Sequence, residues 1–420
     1  MSESQSASDS PPGPSVASDS SPARPVASDR PYDVVLFGAT GFTGGLTAEY
    51  LAGRAEGEGT RWALAGRSRA KLEQRRTRLA AIDPAAAELD LLEADADDPA
   101  ALRRVAESAK VVITTVGPYI RYGEPLVAAC AQAGTDYVDL CGEPEFVDRM
   151  WLRHHARAAE TGARLVHSCG FDSIPHDLGV LYTVQRLPEG VPITVAGFVR
   201  TNGTISGGTY QSTVEILARL RQGREVANER RALEPRPAGR VIVGLTPPPH
   251  ADETAGGWVV APPLIDPLVV LRSARALERY GPEFRYAHYM VVKRLPVLAV
   301  LGAGIVSLAA LAQVKPTRDL LLRVKGSGEG PSEVRRARSW FNVRFKGEGG
   351  GRRVIAEVSG GDPGYGETSK MLAEAALCLA HDELPATAGQ VTPAVAMGQA
   401  LIDRLQRAGI RFATVADEPI

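Results

Sequence analysis

Four cysteines in 420 residues, Cys130, Cys141, Cys169 and Cys378, are too few and too scattered to staple a small scaffold, and no pair stands in a CxxC spacing. A structural zinc site and a disulfide framework are thereby excluded, no metal is expected, and the chain suits a reducing, cytoplasmic setting. A dominant charge is missing too. The formal net charge of -1 supplies no basic field for nucleic acid and no polybasic anchor, and favours a small-molecule partner. What is plentiful is core-forming material: 44% hydrophobic against 23% charged residues is enough for two domains.

The first 30 residues lack that material. They repeat VASD, are rich in Ser, Pro and Asp, and are expected to form a disordered tail over residues 1–30 rather than a signal peptide or a fold element. After Pro31, apolar strands alternate with amphipathic segments. VVLF runs into a glycine turn, and LTAEYLAG places Leu46, Tyr50 and Leu51 on one helical face. WALAG and LDLLEAD read as further strands, and Asp98-Pro99 as the cap and first residue of a helix. VVITTVG is a continuous apolar run of the kind buried on both faces of a sheet. This βαβαβ rhythm predicts an α/β fold with a doubly wound parallel sheet, a Rossmann domain.

The stretch DVVLFGATGFTGG, residues 33–45, carries the cofactor expectation. Gly38 permits a tight turn, Gly41 lets the backbone approach a pyrophosphate, and Gly44 allows close packing of helix on strand, with Thr40, Phe42 and Thr43 completing the turn. At the end of the second strand, where NAD enzymes carry an acid for the ribose 2′-hydroxyl, the sequence reads AGRS. Arg67 can pair with a 2′-phosphate and Ser68 can donate to it, so NADP is expected over NAD. Asp95 is placed at the adenine edge, and Val116, Gly117, Pro118 and Tyr119 near the nicotinamide ribose. Ordinary strand-to-loop packing explains these last positions equally well.

Further along, HSCGFDSIPHDLG gathers polar groups at a strand end that opens onto the ligand crevice. Helix capping accounts for Asp172 and Ser173 without chemistry. His176 is the side chain there suited to exchanging a proton near neutral pH. ISGGTYQ opens another helix, with Ser206 and Thr209 as hydroxyl donors or caps.

Taken together, FGATGFTG, AGR, VGPY, GFDSIPHDLG, SGGT, SWFNVRF and GGDPGYGETSKM resemble the saccharopine-dehydrogenase-like oxidoreductases, most closely the actinobacterial trans-acting enoyl reductases. The resemblance implies an NADP-binding Rossmann domain at 31–180, an α+β substrate or dimerisation domain at 181–360, and C-terminal helices at 361–420 that return to the first domain. It also implies reduction of a carbon–carbon double bond on a lipid or polyketide-derived, carrier- or CoA-bound chain. Hydride transfer to the β-carbon of an enoyl thioester leaves an enolate that needs hydrogen-bond donors and then a proton. Tyr119, Ser173 and His176 are the donors expected there. There is no Tyr-x-x-x-Lys; Tyr365 and Lys370 are five apart, and Lys370 is expected on the surface. No cluster of arginines for an amino-dicarboxylate stands out, which weighs against saccharopine-type C–N chemistry. A non-catalytic NADP-binding scaffold or sensor is the other alternative.

The segment Leu295 to Val314 carries no charge and as a helix is ~30 Å long. Spanning a bilayer conflicts with C-terminal helices returning to the first domain. The open readings are peripheral contact with a membrane or lipid substrate, and a buried core or homodimer helix.

Overall fold

The computed structural model describes residues 30–203, 207–262, 264–292, 295–324 and 330–420; the segment read as a tail, apart from Arg30, and Ser206 lie outside these, as do the side chains of Thr209 and of 295–301. The N-terminal sheet is parallel throughout. Its strands β1 (Tyr32–Phe37), β2 (Trp62–Gly66), β3 (Asp90–Glu93), β4 (Ala109–Thr114), β5 (Asp136–Asp139) and β6 (Arg164–Val166) run β6-β5-β4-β1-β2-β3. Val34, Val35 and Leu36 are fully buried because helices cover both faces, which is why these strands read as unbroken apolar runs. Chain order reverses between β1 and β4, so a ligand crevice opens at their C-terminal ends.

The second sheet is mixed. It contains β7 (Ile193–Thr201), β8 (Val241–Leu245), β9 (His250–Asp252), β10 (Gly257–Val260), β11 (Glu283–Val292), β12 (Phe341–Gly349), β13 (Arg352–Gly360) and β15 (Arg411–Pro419). β7 lies parallel to β11 and antiparallel to β12. Along β12, Phe341, Val343 and Phe345 are buried while Asn342, Arg344 and Lys346 are less so, the period of two that turns one face to a core. That face receives the wholly buried helix Ile174–Val184. Gly179 permits the approach: a Cβ there would lie 2.3 Å from the Phe345 ring.

The C-terminal helices do return to the first domain. Helix Gly366–His381 packs on helix Phe42–Glu58 and on β4, with Tyr50 donating to Glu374 at 2.6 Å and Arg404 bridging Glu58, Glu374 and Asp382. The same stretch adds two strands that a helices-only reading passes over. β14 (Gly389–Val391) extends the parallel sheet beside β6, and β15 edges the second sheet.

The apolar segment forms helix Leu295–Gln313, followed by Lys315–Val324. From Gly302 onward it is not a core helix: Ile305, Val306, Leu311 and Val314 are exposed, and only Ala312 is fully buried, against Val214 and Leu217. No helix among the described residues is long and apolar enough to cross a membrane.

Candidate functional site

The turn after β1 is built as its glycines require. Gly38 takes φ 90°, in the left-handed region, and a Cβ on it would lie 2.8 Å from Thr115 Oγ1 and Val116 Cγ2. A Cβ on Gly44 would sit 2.1 Å from the Gly38 carbonyl oxygen, so nothing larger lets the helix start this close to the strand. Gly41 differs, since its own Cβ would meet only the Gly38 oxygen, at 3.5 Å. Gly41 is therefore open on its outer side and caps helix Phe42–Glu58 with no side-chain hydrogen bond. The free N–H groups and the helix dipole of that first turn suit an anion such as a pyrophosphate.

Around it, Phe42 packs edge-on against Tyr365 at 4.8 Å, and the Thr43 carbonyl accepts from Thr47 and Ser369, tying the turn to the C-terminal helix. Thr40 is half-buried in the turn. Arg67 is exposed just past β2, and Ser68 begins the next helix without capping it. Both side chains are free to meet a 2′-phosphate, which fits NADP. The Asp95 carboxylate accepts from Asp97 N–H at 3.1 Å, a local turn within the loop after β3.

At the end of β4, Val116, Gly117 and Pro118 form the crevice wall, and Tyr119 departs from expectation. Its ring is buried, and its hydroxyl donates to the Thr114 carbonyl at 3.2 Å while accepting from Leu140 N–H at 3.1 Å. Burial, with Asp139 next, holds this phenol well above its usual range. The hydroxyl joins two strand ends, and its proton is committed to the Thr114 carbonyl. Glu143, unremarked in the sequence, organises this corner instead. Its carboxylate accepts from Tyr119 N–H at 3.0 Å, Ile120 N–H at 2.9 Å and the Ser212 hydroxyl at 2.8 Å. Burial pushes its carboxyl up against the lowering effect of these three bonds. Through Ser212 the helix Gly207–Ala218, opened by the second glycine turn, is docked on the crevice.

The GFDSIPH element supplies the other wall. Ser173 occupies the N-cap of helix Ile174–Val184 but makes no capping bond, and its buried Oγ has no partner. Asp172 does not cap either. Its carboxylate faces the loop after β5, where a Cβ on Gly142 would lie 3.0 Å from Asp172 Oδ2. Although Asp172 keeps partial exposure, burial and then the negative Asp266 push it up to about 7, with His176 opposing. His176 is buried; its Nδ1 lies 2.9 Å from Asp266 Oδ1 at an angle too poor for a good hydrogen bond. Its ring is flanked by Phe171 at 5.4 Å and His288 at 5.0 Å. Burial drives His288 down to about 4, with Asp266 opposing and His176 adding to the drop, while its Nδ1 meets the Tyr286 hydroxyl at 2.9 Å.

Asp177, one helical step on, is a structural group: Ser273 donates to it at 2.5 Å and Ala394 N–H at 2.8 Å. The structure thus brings Ser173 and His176 together behind Asp172 and leaves Tyr119 out. It adds Asp266 and His288, whose places in the chain give no local signal. The one available signal was at Asp172, an acid at a strand end that need not cap its helix. Lys370 is not a free surface amine, since its Nζ lies 2.8 Å from Glu367 and it is only 19% exposed. No group of three His, Cys, Asp or Glu among the described residues suits a metal ion, and the four cysteines are all buried.

Residues 34–166 match the saccharopine dehydrogenase NADP binding domain. A Mycobacterium bovis protein named trans-acting enoyl reductase is 37% identical, covering 92% of this chain and 98% of its own length. A Mycobacterium tuberculosis protein provisionally given the same name is 41% identical over the same shares. Among solved structures, apo saccharopine dehydrogenase (L-Glu forming) from Saccharomyces cerevisiae aligns with a TM-score of 0.51 and 12% identity, over 92% of this chain and all of that one, a likeness of fold alone.

Proposed function

The chain belongs to the trans-acting enoyl reductases, oxidoreductases that carry a saccharopine dehydrogenase NADP-binding domain, and from that premise we propose that it reduces an enoyl thioester at the expense of NADPH. The proposed substrate is a lipid-like or polyketide-derived chain, presented on a carrier protein or on CoA. The glycine turn would hold NADPH, which when bound would supply the hydride for the β-carbon. The chain's own residues do the rest. Gly38, Gly41 and Gly44 would admit the pyrophosphate to the helix N-terminus, and Arg67 with Ser68 would meet the 2′-phosphate. Glu143 holds the 116–120 stretch by the Tyr119 and Ile120 N–H groups and thereby fixes the wall at the end of β4.

Asp172 carries the reading. It is a partly exposed carboxyl beside Gly142 at the crevice, and burial and then Asp266 raise it to about 7, so that a large share of it carries a proton at neutral pH. Such a group can deliver the proton that the α-carbon of an enolate requires. His176 stands behind Asp172 with Asp266 at its Nδ1, and Ser173 completes the buried wall. The test is NADPH oxidation against a panel of enoyl thioesters, ketones and imines. Turnover of enoyl thioesters is expected. Turnover confined to ketones or imines would overturn the reading, and tight NADPH binding with no turnover would point to a scaffold.

The apolar side chains exposed from Gly302 onward, Ile305, Val306 and Leu311, support a lipid-like substrate and peripheral contact with a membrane or with a second copy of the chain. Val306 is 69% exposed, so Val306→Asp should leave thermal stability within ~0.5 kcal/mol and reduce flotation with lipid vesicles. A wild type that never floats would remove the membrane reading.

A further inference from the structure

We propose that a second cavity, between helices Pro144–Thr161, Leu220–Leu233 and Asp266–Ala276 and strand β14, binds a small organic anion through its carboxylate or phosphate oxygens. The cavity measures about 260 Å³, room for several waters at roughly 30 Å³ each. None of the residues of the glycine turn or of the Asp172 cluster lines it. Arginines that look scattered in the sequence are gathered here: Arg230, Arg272 and Arg275 line the cavity, with Glu234 as the only carboxylate on the wall.

The charges do not balance. Asp148, behind the wall, lies 3.0 Å from Arg230 Nη1 and also pairs closely with Arg272. Glu234 takes Arg230 Nη2 at 2.8 Å and Arg275 Nη1 at 3.3 Å. Three guanidiniums against two carboxylates leave one positive charge over. The nearby Asp139 is already committed to His167 Nδ1 at 2.7 Å, the Tyr137 hydroxyl, and the Cys141 and Ser168 N–H groups. The surplus falls to the partly exposed Arg275, beside the buried Arg230 and Arg272, and favours an anion at this wall.

A donor without an acceptor stands at the same wall. It is Arg230, which is 4% exposed and whose Nε has no partner. Ser168, also on the wall, holds φ 63°, a strained value for a residue with a side chain, fixed by its bonds to Asp139 and to the Cys141 carbonyl. Burial, then Arg230, lowers Arg272 to about 10, and the same two causes in the same order lower His155. A guanidinium fork matches the oxygens of a carboxylate or phosphate. The apolar body of such a ligand would lie against Val147, Val269 and Trp151, whose ring is already stacked on His155 at 5.1 Å.

The test uses the full chain saturated with NADP+, so that the glycine turn does not compete for the probe. Inorganic phosphate and malonate are titrated calorimetrically and by thermal shift, against sodium chloride of equal ionic strength. One saturable site is expected, with a dose-dependent rise in Tm and binding weakened at least tenfold in Arg272→Gln and in Arg275→Gln. A response to phosphate alone assigns a phosphoryl ligand, and a response to malonate alone assigns a carboxylate. If Arg272→Gln fails to fold, Arg275→Gln decides, being the more exposed of the two. No response beyond that of chloride, or wild-type binding by Arg275→Gln, would overturn the proposal and leave the arginines as a bridge between helices.

Discussion

The glycine turn and the polar cluster behind Asp172 stand at the same edge of one sheet, yet they are made in opposite ways. The turn is local and built from backbone: three glycines within seven residues fix its shape, and its function lies in what a side chain would obstruct. The cluster is assembled from afar, with Asp172 and His176 from one element, Asp266 from a helix start and His288 from a strand of the second sheet. Its function lies in how burial and neighbouring charge shift the protons of those groups. A local device is damaged by adding atoms, and an assembled one by changing charge.

The contrast is sharpest within the turn. Gly44→Val places atoms where a Cβ already sits 2.1 Å from the Gly38 carbonyl, and the backbone cannot yield. Thermal unfolding should show a loss of ~3 kcal/mol or more, above the usual overpacking range of ~1–3. Gly41→Val meets no such obstacle inside the protein, so the fold should keep its Tm while NADPH titration loses binding by on the order of a hundredfold. Equal loss of stability in both variants would erase the distinction between a packing glycine and a ligand-facing one.

A smaller effect is expected at Arg67. Arg67→Ala should weaken NADPH by ~1.5–3 kcal/mol, the scale of a hydrogen bond to a charged group, and leave NADH nearly unchanged. Equal losses for both cofactors would remove the 2′-phosphate contact. Smaller still is Tyr119→Phe. Because the hydroxyl joins Thr114 to Leu140, the change should cost ~1 kcal/mol of stability and leave kcat within about twofold. A large fall in kcat at unchanged stability would restore Tyr119 to the chemistry.

The same contrast explains what could be read from the chain. β1, its turn and β4 were legible because burial on both faces makes apolar runs and because glycine has few other reasons to recur at that spacing. Arg67 was legible because a single expected acid was missing. Tyr119 misled because position at a strand end is readable while the direction of a side chain is not. Asp172 and Ser173 were hidden by helix capping, which competes for the same residue types at the same place, and only the structure shows that neither caps. Asp266, His288 and Glu143 carry no local pattern. β14 is three residues long and is a strand only because β6 accepts it, and β15 is an exposed, polar edge strand. The arginine cavity escaped for the same reason as the cluster, since its arginines come from two helices far apart in sequence.

The central claim is that Asp172 gives up the proton, and the pH dependence of kcat in the wild type and in Asp172→Asn tests it most directly. The sign follows from the direction of the shift. Asp172 is raised from 3.8 to about 7, so the donor form is present below that value and lost above it. The raised value also makes the folded state lose stability as pH climbs from the unfolded value through 7, a loss that Asp172→Asn should relieve at pH 8 and not at pH 4. With an enoyl thioester and saturating NADPH, the wild type should hold a plateau below about 7 and fall tenfold per pH unit above it. Asp172→Asn should turn over ~10²–10⁴-fold more slowly, with a flat profile and unchanged NADPH affinity. A variant that keeps both the wild-type rate and the wild-type fall above 7 would contradict the account.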